Sequence, residues 1–294
     1  MLKAFSDIWN PSALKIHKDV IQLDLANDDI LSNAELDAFG YMFTLEGKSL
    51  TRKSAVGIIK AVSLYDYDQD MAFYSNHGLV KRANAKGYEA HPNPFSKEEH
   101  LSLYKLSFTI DGKWFGMDRW IVDNVNFFDE YLTIEFEKNL IKTIKAKMIV
   151  DEEKFKKYEN ENENGLILIN KLNDKVYEII FQLKLEKKKE RVISILEALK
   201  SGLYSQTSGE ANTLVLLFML ASGVKVPSPI FHSYLEVKRN YDSFDIIGLK
   251  DCVKNIWIDK NDKIFLYKSE KMKSNFSEKI NEDWNEFLNN IGLN

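Results

Sequence analysis

At 294 residues and 45% hydrophobic content, the chain carries enough apolar material for one large core or two ordinary ones. Its single cysteine, Cys252, excludes an intrachain disulfide and any thiol-rich metal site, and reads as a small buried apolar residue. A net charge of −4 argues against non-specific coating of nucleic acid, and no apolar run reaches the roughly eighteen residues of a membrane helix; with MLKAFSDIWNPS lacking a signal peptide's apolar core and cleavage site, the expectation is a soluble cytoplasmic protein.

In chain order, residues 1–9 read as the end of a helix, with Leu2, Phe5 and Trp9 at helical spacing and Pro11 as a stop. Residues 18–25 favour a short strand before the turn at 27–29, and residues 39–45 a second. Residues 55–64, rich in Val and Ile, predict a strand covered on both faces. Residues 104–110 predict its partner, ending at Asp111-Gly112. Between them the excursion 66–103 is too long for a hairpin loop. It carries Phe73, Tyr74, His77, Tyr88, Phe95 and His100, too many aromatic groups for a solvated linker, so function is sought there. Within it, NHGLVKRANAKG predicts a short helix presenting Lys81 and Arg82.

Further on, residues 132–150 read as a strand followed by a helix, and 151–165 as a mobile charged loop. Residues 176–183 predict a strand with Val176, Ile180 and Phe181 inward. Residues 186–201 predict a helix with Val192, Ile193, Leu196 and Leu199 on one stripe and Gly202 as its cap. Residues 213–221 form an apolar run, 256–258 and 264–267 a predicted hairpin, and a last helix carries Ile280, Trp284, Phe287 and Ile291. The lack of a clean βαβ series points to an α+β fold around an antiparallel sheet.

Between Gly47 and Tyr65 stand Lys48, Arg52, Lys53 and Lys60 with no acid, a stripe suited either to a phosphate backbone or to solvent. Asp66, Asp68 and Asp70 alternate, which suits either a hard-cation site or the end of a strand; the glycine and distal glutamate of a calcium loop are missing. His77, His91 and His100 lie near Glu98 and Glu99, yet match neither an HExxH helix nor a zinc-finger spacing. A metal-dependent ribonuclease built on Asp66, Asp68 and His77 is the alternative function. The run Ser205-Gln206-Thr207-Ser208-Gly209 reads as a polar loop that either holds phosphate oxygens or only connects. Tyr65, Tyr67, Phe73 and Tyr74 either stack on bases or form a small core.

The stretches AELDAFGYMFT, SLTRKSAVGIIKAVSLYDYDQDMAFYSNHGLVKRA and NPFSKEEHLSLYKLSFTID resemble the DevR-type backbone subunit of subtype I-B CRISPR Cascade over roughly residues 30–122. GLYSQTSGEANTLVLLFMLASGVKVPSPIFHSYLEV adds a weaker match at 202–237. The resemblance implies a single modified RRM-like (ferredoxin-like) palm with thumb or finger insertions, copies of which polymerise along a CRISPR guide RNA (crRNA). It implies no catalysis, no metal and no cofactor. The partners implied are the guide, other copies, other Cascade subunits and, through the guide, target DNA, with no membrane. Carried onto this sequence, Arg52, Lys53, Lys60, Asn76, His77, Lys81, Arg82, Gln206, Thr207 and Ser208 are expected to hold guide phosphates and riboses, and Phe73 and Tyr74 to wedge a nucleotide. Family members open with a strand and a glycine-containing loop leading into a basic helix. This chain begins near the end of that helix, so the expectation is a replaced first strand or a late start.

Overall fold

The computed structural model describes residues 9–17, 19–44, 49–67, 71–98, 102–136, 140–207, 210–259, 264–276 and 280–290. The helix expected over 1–9, apart from Trp9, lies outside them, as do Asp68, Asp70, Glu99, His100 and Ser208. The fold is mixed α and β with mostly antiparallel pairing, and the chain divides into two compact units, residues 59–107 and the remainder.

The larger unit is dominated by a seven-stranded antiparallel sheet. Its strands run in the order Met117–Val122, Val176–Leu183, Gly165–Asn173, Phe155–Asn160, Leu140–Asp151, Tyr131–Phe136, Asn124–Phe128. Period-two burial drives it: Asp118, Trp120 and Val122 on one strand, and Leu132, Ile134 and Phe136 on another, all point inward. The long strand Leu140–Asp151 serves two ladders, pairing by its first half with Tyr131–Phe136 and by its second with Phe155–Asn160. At the far edge Met117–Val122 runs through Asp123 straight into Asn124–Phe128. Strands that pass from one ladder to another in this way turn the corners of a packed β structure, and the inward side chains of both ladders share one core.

Three expectations are corrected in this sheet. Residues 151–165 are no loop, because Phe155–Asn160 is an internal strand with Tyr158 and Asn160 buried. Lys157 and Glu159 lie on the other face, but Lys156 shares the face of Tyr158 and Asn160, which hid the alternation in the sequence. The described residues of 132–150 form two strands and no helix, as their β-branched content favours. On Val176–Leu183 the inward residues are Ile179, Phe181 and Leu183, with Val176 and Ile180 only half-buried.

A second core forms around the helix Leu185–Ser201, whose Val192, Ile195 and Leu196 are buried. Gly202 ends it at φ +78°, where a Cβ would run into the Leu214 carbonyl. This core takes in two short antiparallel pairs, Val56–Ile58 with Phe108–Ile110 and Phe218–Ala221 with Phe265–Lys268. It is closed by Trp284 and Phe287 of the helix Trp284–Asn289, as their spacing predicts. The strand expected over 55–64 is shorter than predicted: Ala55 and Val56 are buried, while Gly57 and Ile58 are exposed. The predicted hairpin of 256–258 with 264–267 does not form. Ile258 bridges Val224 instead, and Phe265–Lys268 pairs with Phe218–Ala221. A third, smaller core under Glu236–Arg239, Phe244–Ile247 and Met272–Ser274 includes Leu249, and Cys252 beside it is buried as expected.

The smaller unit, residues 59–107, is an antiparallel ribbon. Val62–Ser63 pairs with Tyr104–Lys105, and further along Met71–Tyr74 pairs with Phe95–Glu98, the helix His77–Asn84 lying between those last two strands in sequence. None of its described residues is buried. No described helix of the chain is long and apolar enough to cross a membrane.

Candidate nucleic-acid interface

In the smaller unit the ribbon fixes where each aromatic side chain points. Phe73 pairs with Ser96 and Met71 with Glu98, whereas Tyr74 pairs with Phe95 and Ala72 with Lys97. Directly opposed residues share a face and neighbours along a strand do not. Phe73 and Tyr74, expected together as a nucleotide wedge, therefore stand on opposite faces of the ribbon. Phe73 is 71% exposed; Tyr74 stacks on Phe95, with ring centroids 5.3 Å apart and planes within 15°. Phe95 is itself 57% exposed. Tyr67 bonds to Glu98, and that hydrogen bond raises the pKa of the phenol.

The helix His77–Asn84 begins after Asn76, whose Oδ1 accepts the Asn93 amide at 2.8 Å and ties the two ends of the helical insertion together. His77, Lys81 and Asn84 fall at i, i+4 and i+7, one exposed stripe, with Arg82 beside it. Lys81 and Arg82 lie in the last turn, where the helix dipole favours cations. Lys60, Lys81, Arg82 and Lys86 are all exposed, and none has an ion-pair partner among the described residues. The helix predicted here, with both cations outward, is thus the one observed. Among the described residues no three His, Cys, Asp or Glu side chains gather to hold a metal ion.

In the larger unit Arg52 must be withdrawn from the RNA-binding set. Its side chain is fully buried and ion-paired to Asp37, Nη2 to Oδ1 at 2.8 Å. Nη1 donates to the Leu36 carbonyl at 3.0 Å and also to the Asp37 carbonyl. Nε and Nη2 reach the Met117 and Trp114 carbonyls at 3.2 and 3.0 Å. Arg191 approaches the other Asp37 oxygen at 3.1 Å, and the Gly116 amide donates to Asp37 at 2.8 Å. Beside this cluster Asp118 accepts from Tyr41 at 2.6 Å and Trp120 at 3.1 Å. Burial pushes the Asp37 and Asp118 carboxyls upward, and the Arg52 guanidinium pulls both back. The arrangement pins the helix Ala34–Phe39, the turn before Met117 and the long helix to one another. A side chain so enclosed cannot line an open groove.

Lys53, one residue on, is exposed. Gln206 and Thr207 are on the strand Leu203–Thr207, paired with Ala211 and Glu210 of Glu210–Leu214, so the expected polar loop is largely the arm of a hairpin. Sequence reasoning missed Phe95 as Tyr74's partner and missed the Asp37 cluster. The signal for the latter was a lone acid between Leu36 and Ala38 in a short helix, and an arginine two residues after the inward Leu50.

A family model described as CRISPR-associated negative auto-regulator DevR/Csa2 matches residues 7–242. That span takes in the smaller unit, the seven-stranded sheet and the long helix, and ends before Phe244–Ile247. Neither the curated proteins nor the solved structures give a match to the chain.

Proposed function

The chain belongs to the DevR/Csa2 family of CRISPR-associated proteins, and from that premise we propose that it is a non-catalytic, crRNA-binding backbone subunit of a subtype I-B antiviral surveillance complex. Copies polymerise in the cytoplasm along the guide and beside other Cascade subunits. They grip sugar and phosphate and leave bases free to pair with target DNA, so that pairing reads sequence and protein holds backbone. On this reading the RRM-like palm is assembled from the pairs Val56–Ile58/Phe108–Ile110 and Phe218–Ala221/Phe265–Lys268 on the long helix, and the seven-stranded meander is an addition to it.

The observation that carries the proposal is the smaller unit: Lys60, Lys81 and Arg82 are exposed and without ion-pair partners among the described residues, the same ribbon carries exposed aromatic rings, and none of its described residues is buried. Lys60, Lys81 and Arg82 supply charge, and Asn76 and His77 supply polar contacts at the helix start. In the larger unit Lys53, the strand residues Gln206 and Thr207, and Ser208 are assigned contacts of their own; Arg52 has none.

The test is binding of guide RNA by the purified protein over a salt series. Four phosphate contacts from Lys53, Lys60, Lys81 and Arg82 predict a logarithmic salt slope of about −3 for single-stranded RNA. Lys81→Ala with Arg82→Ala should flatten it by about 1.4. The protein should co-migrate with guide RNA as a multimer and leave labelled RNA intact in magnesium or manganese. A monomer indifferent to RNA at low salt would refute the proposal, and metal-dependent cleavage would refute its non-catalytic part.

A further inference from the structure

Resting on that guide-RNA reading, we propose that the ribbon of Met71–Tyr74 and Phe95–Glu98 receives two unpaired nucleobases at independent positions. One stacks on the Tyr74–Phe95 pair, and the other lies against Phe73 on the opposite face. The cross-strand register forces the division, since Tyr74 opposes Phe95 while Phe73 opposes Ser96. The Tyr74–Phe95 rings are already stacked, at 5.3 Å and 15°, with Phe95 still 57% exposed, so an outer π surface is pre-formed. Phe73 is more exposed and has no ring contact among the described residues, so its face is open to a single base.

The chemistry favours a nucleobase over a protein side chain as occupant. Stacking on an aromatic ring suits every base and needs no sequence readout. The same unit supplies Lys81, Arg82 and Lys86, without ion-pair partners among the described residues, for the phosphates that join two such bases. Bases on the two faces of a ribbon are kept apart by its backbone and by the rings they rest on. Stacked neighbours along a strand stand about 3.4 Å apart. A strand held this way is opened at that step, and the ribbon works as a spacer with two seats of unequal kind: a two-ring platform and a single ring.

The test uses the full chain, a single-stranded oligouridine carrying 5-iodouridine, and photo-cross-linking with peptide mapping, alongside affinities of Phe73→Ala, Tyr74→Ala, Phe95→Ala and their pairs. Adducts are expected on Phe73 and on Tyr74 or Phe95, from different nucleotides of one bound strand. Phe73→Ala and Phe95→Ala should each weaken binding about tenfold, and together by the product, as separate sites do. Tyr74→Ala with Phe95→Ala should fall short of their product, because those rings act as one platform. If the wild-type protein binds oligouridine but neither Phe73→Ala nor Phe95→Ala weakens it, or both positions give adducts with the same nucleotide, the two-seat assignment fails and the guide-RNA reading stands. Loss of self-association with unchanged RNA affinity also overturns it, making the ribbon a protein contact. No binding by the wild type at low salt sinks both readings together.

Discussion

Arg52 illustrates how a charge is assigned by which side of a strand it occupies. In Ser49–Arg52 the residues alternate, with Leu50 and Arg52 inward and Ser49 and Thr51 outward. The cluster of cations at 48–60 says nothing of this, but the two-residue step from Leu50 does. Removing one partner of a buried pair leaves the other charge uncompensated, so Arg52→Ala should lower unfolding stability by about 3–5 kcal/mol in a urea titration. Arg52→Lys should recover little, because one ammonium cannot reach the carbonyls that the guanidinium fork serves. Were Arg52 an RNA contact, the variant would instead fold normally and lose RNA affinity. Cys252 offers a second residue-level check. Burial pushes its thiol up to about 11 from an ordinary 9.0. The folded state therefore favours the protonated thiol. The associated stability is complete below the unfolded pKa and is lost as pH rises towards 11. A thiol reagent at pH 8 should modify native protein far more slowly than urea-unfolded protein; equal rates would contradict the burial.

Among the elements, those with a strong local signal were legible and those completed from afar were not. The helix Leu185–Ser201 announces itself by its apolar stripe and its terminal glycine, and Trp284 with Phe287 by their spacing. The hairpin expected of 256–258 and 264–267 was lost to more distant partners, Val224 and Phe218–Ala221, which no local pattern reveals. Phe155–Asn160 was hidden because Lys156, Lys157 and Glu159 put charge on both of its faces. The second core draws Phe265, Trp284 and Phe287 from beyond the matched span of 7–242. Trp284 also donates to Glu197 at 2.6 Å and lies under Lys200. Trp284→Ala should cost about 3–5 kcal/mol, as large core truncations do. A chain ending at residue 242 should fail to give a cooperative thermal transition, and a sharp one would show this segment to be dispensable.

At the scale of the whole molecule, the excursion was visible as a distinct segment, because no hairpin needs so many residues and no linker so many rings. Its faces were not, since they depend on a register that only pairing fixes. Ile58 stands directly opposite Phe108, so a two-residue Asn-Gly turn can replace residues 59–107 and close an ordinary hairpin. That deletion should leave the thermal midpoint of the remainder within a few degrees of wild type and abolish RNA binding at moderate salt. Retained binding would move the interface off the smaller unit. Hydrogen exchange gives an independent view: amides of 59–107 should exchange early in free protein and slow when guide RNA is added.

One strand, Leu140–Asp151, belongs to both ladders of the large sheet. Neither layer can come apart while the other stays whole, since the shared backbone would have to be ordered and melted at once. The seven strands are thus welded into a single cooperative block, and a proline anywhere along that common rail would forfeit both halves together.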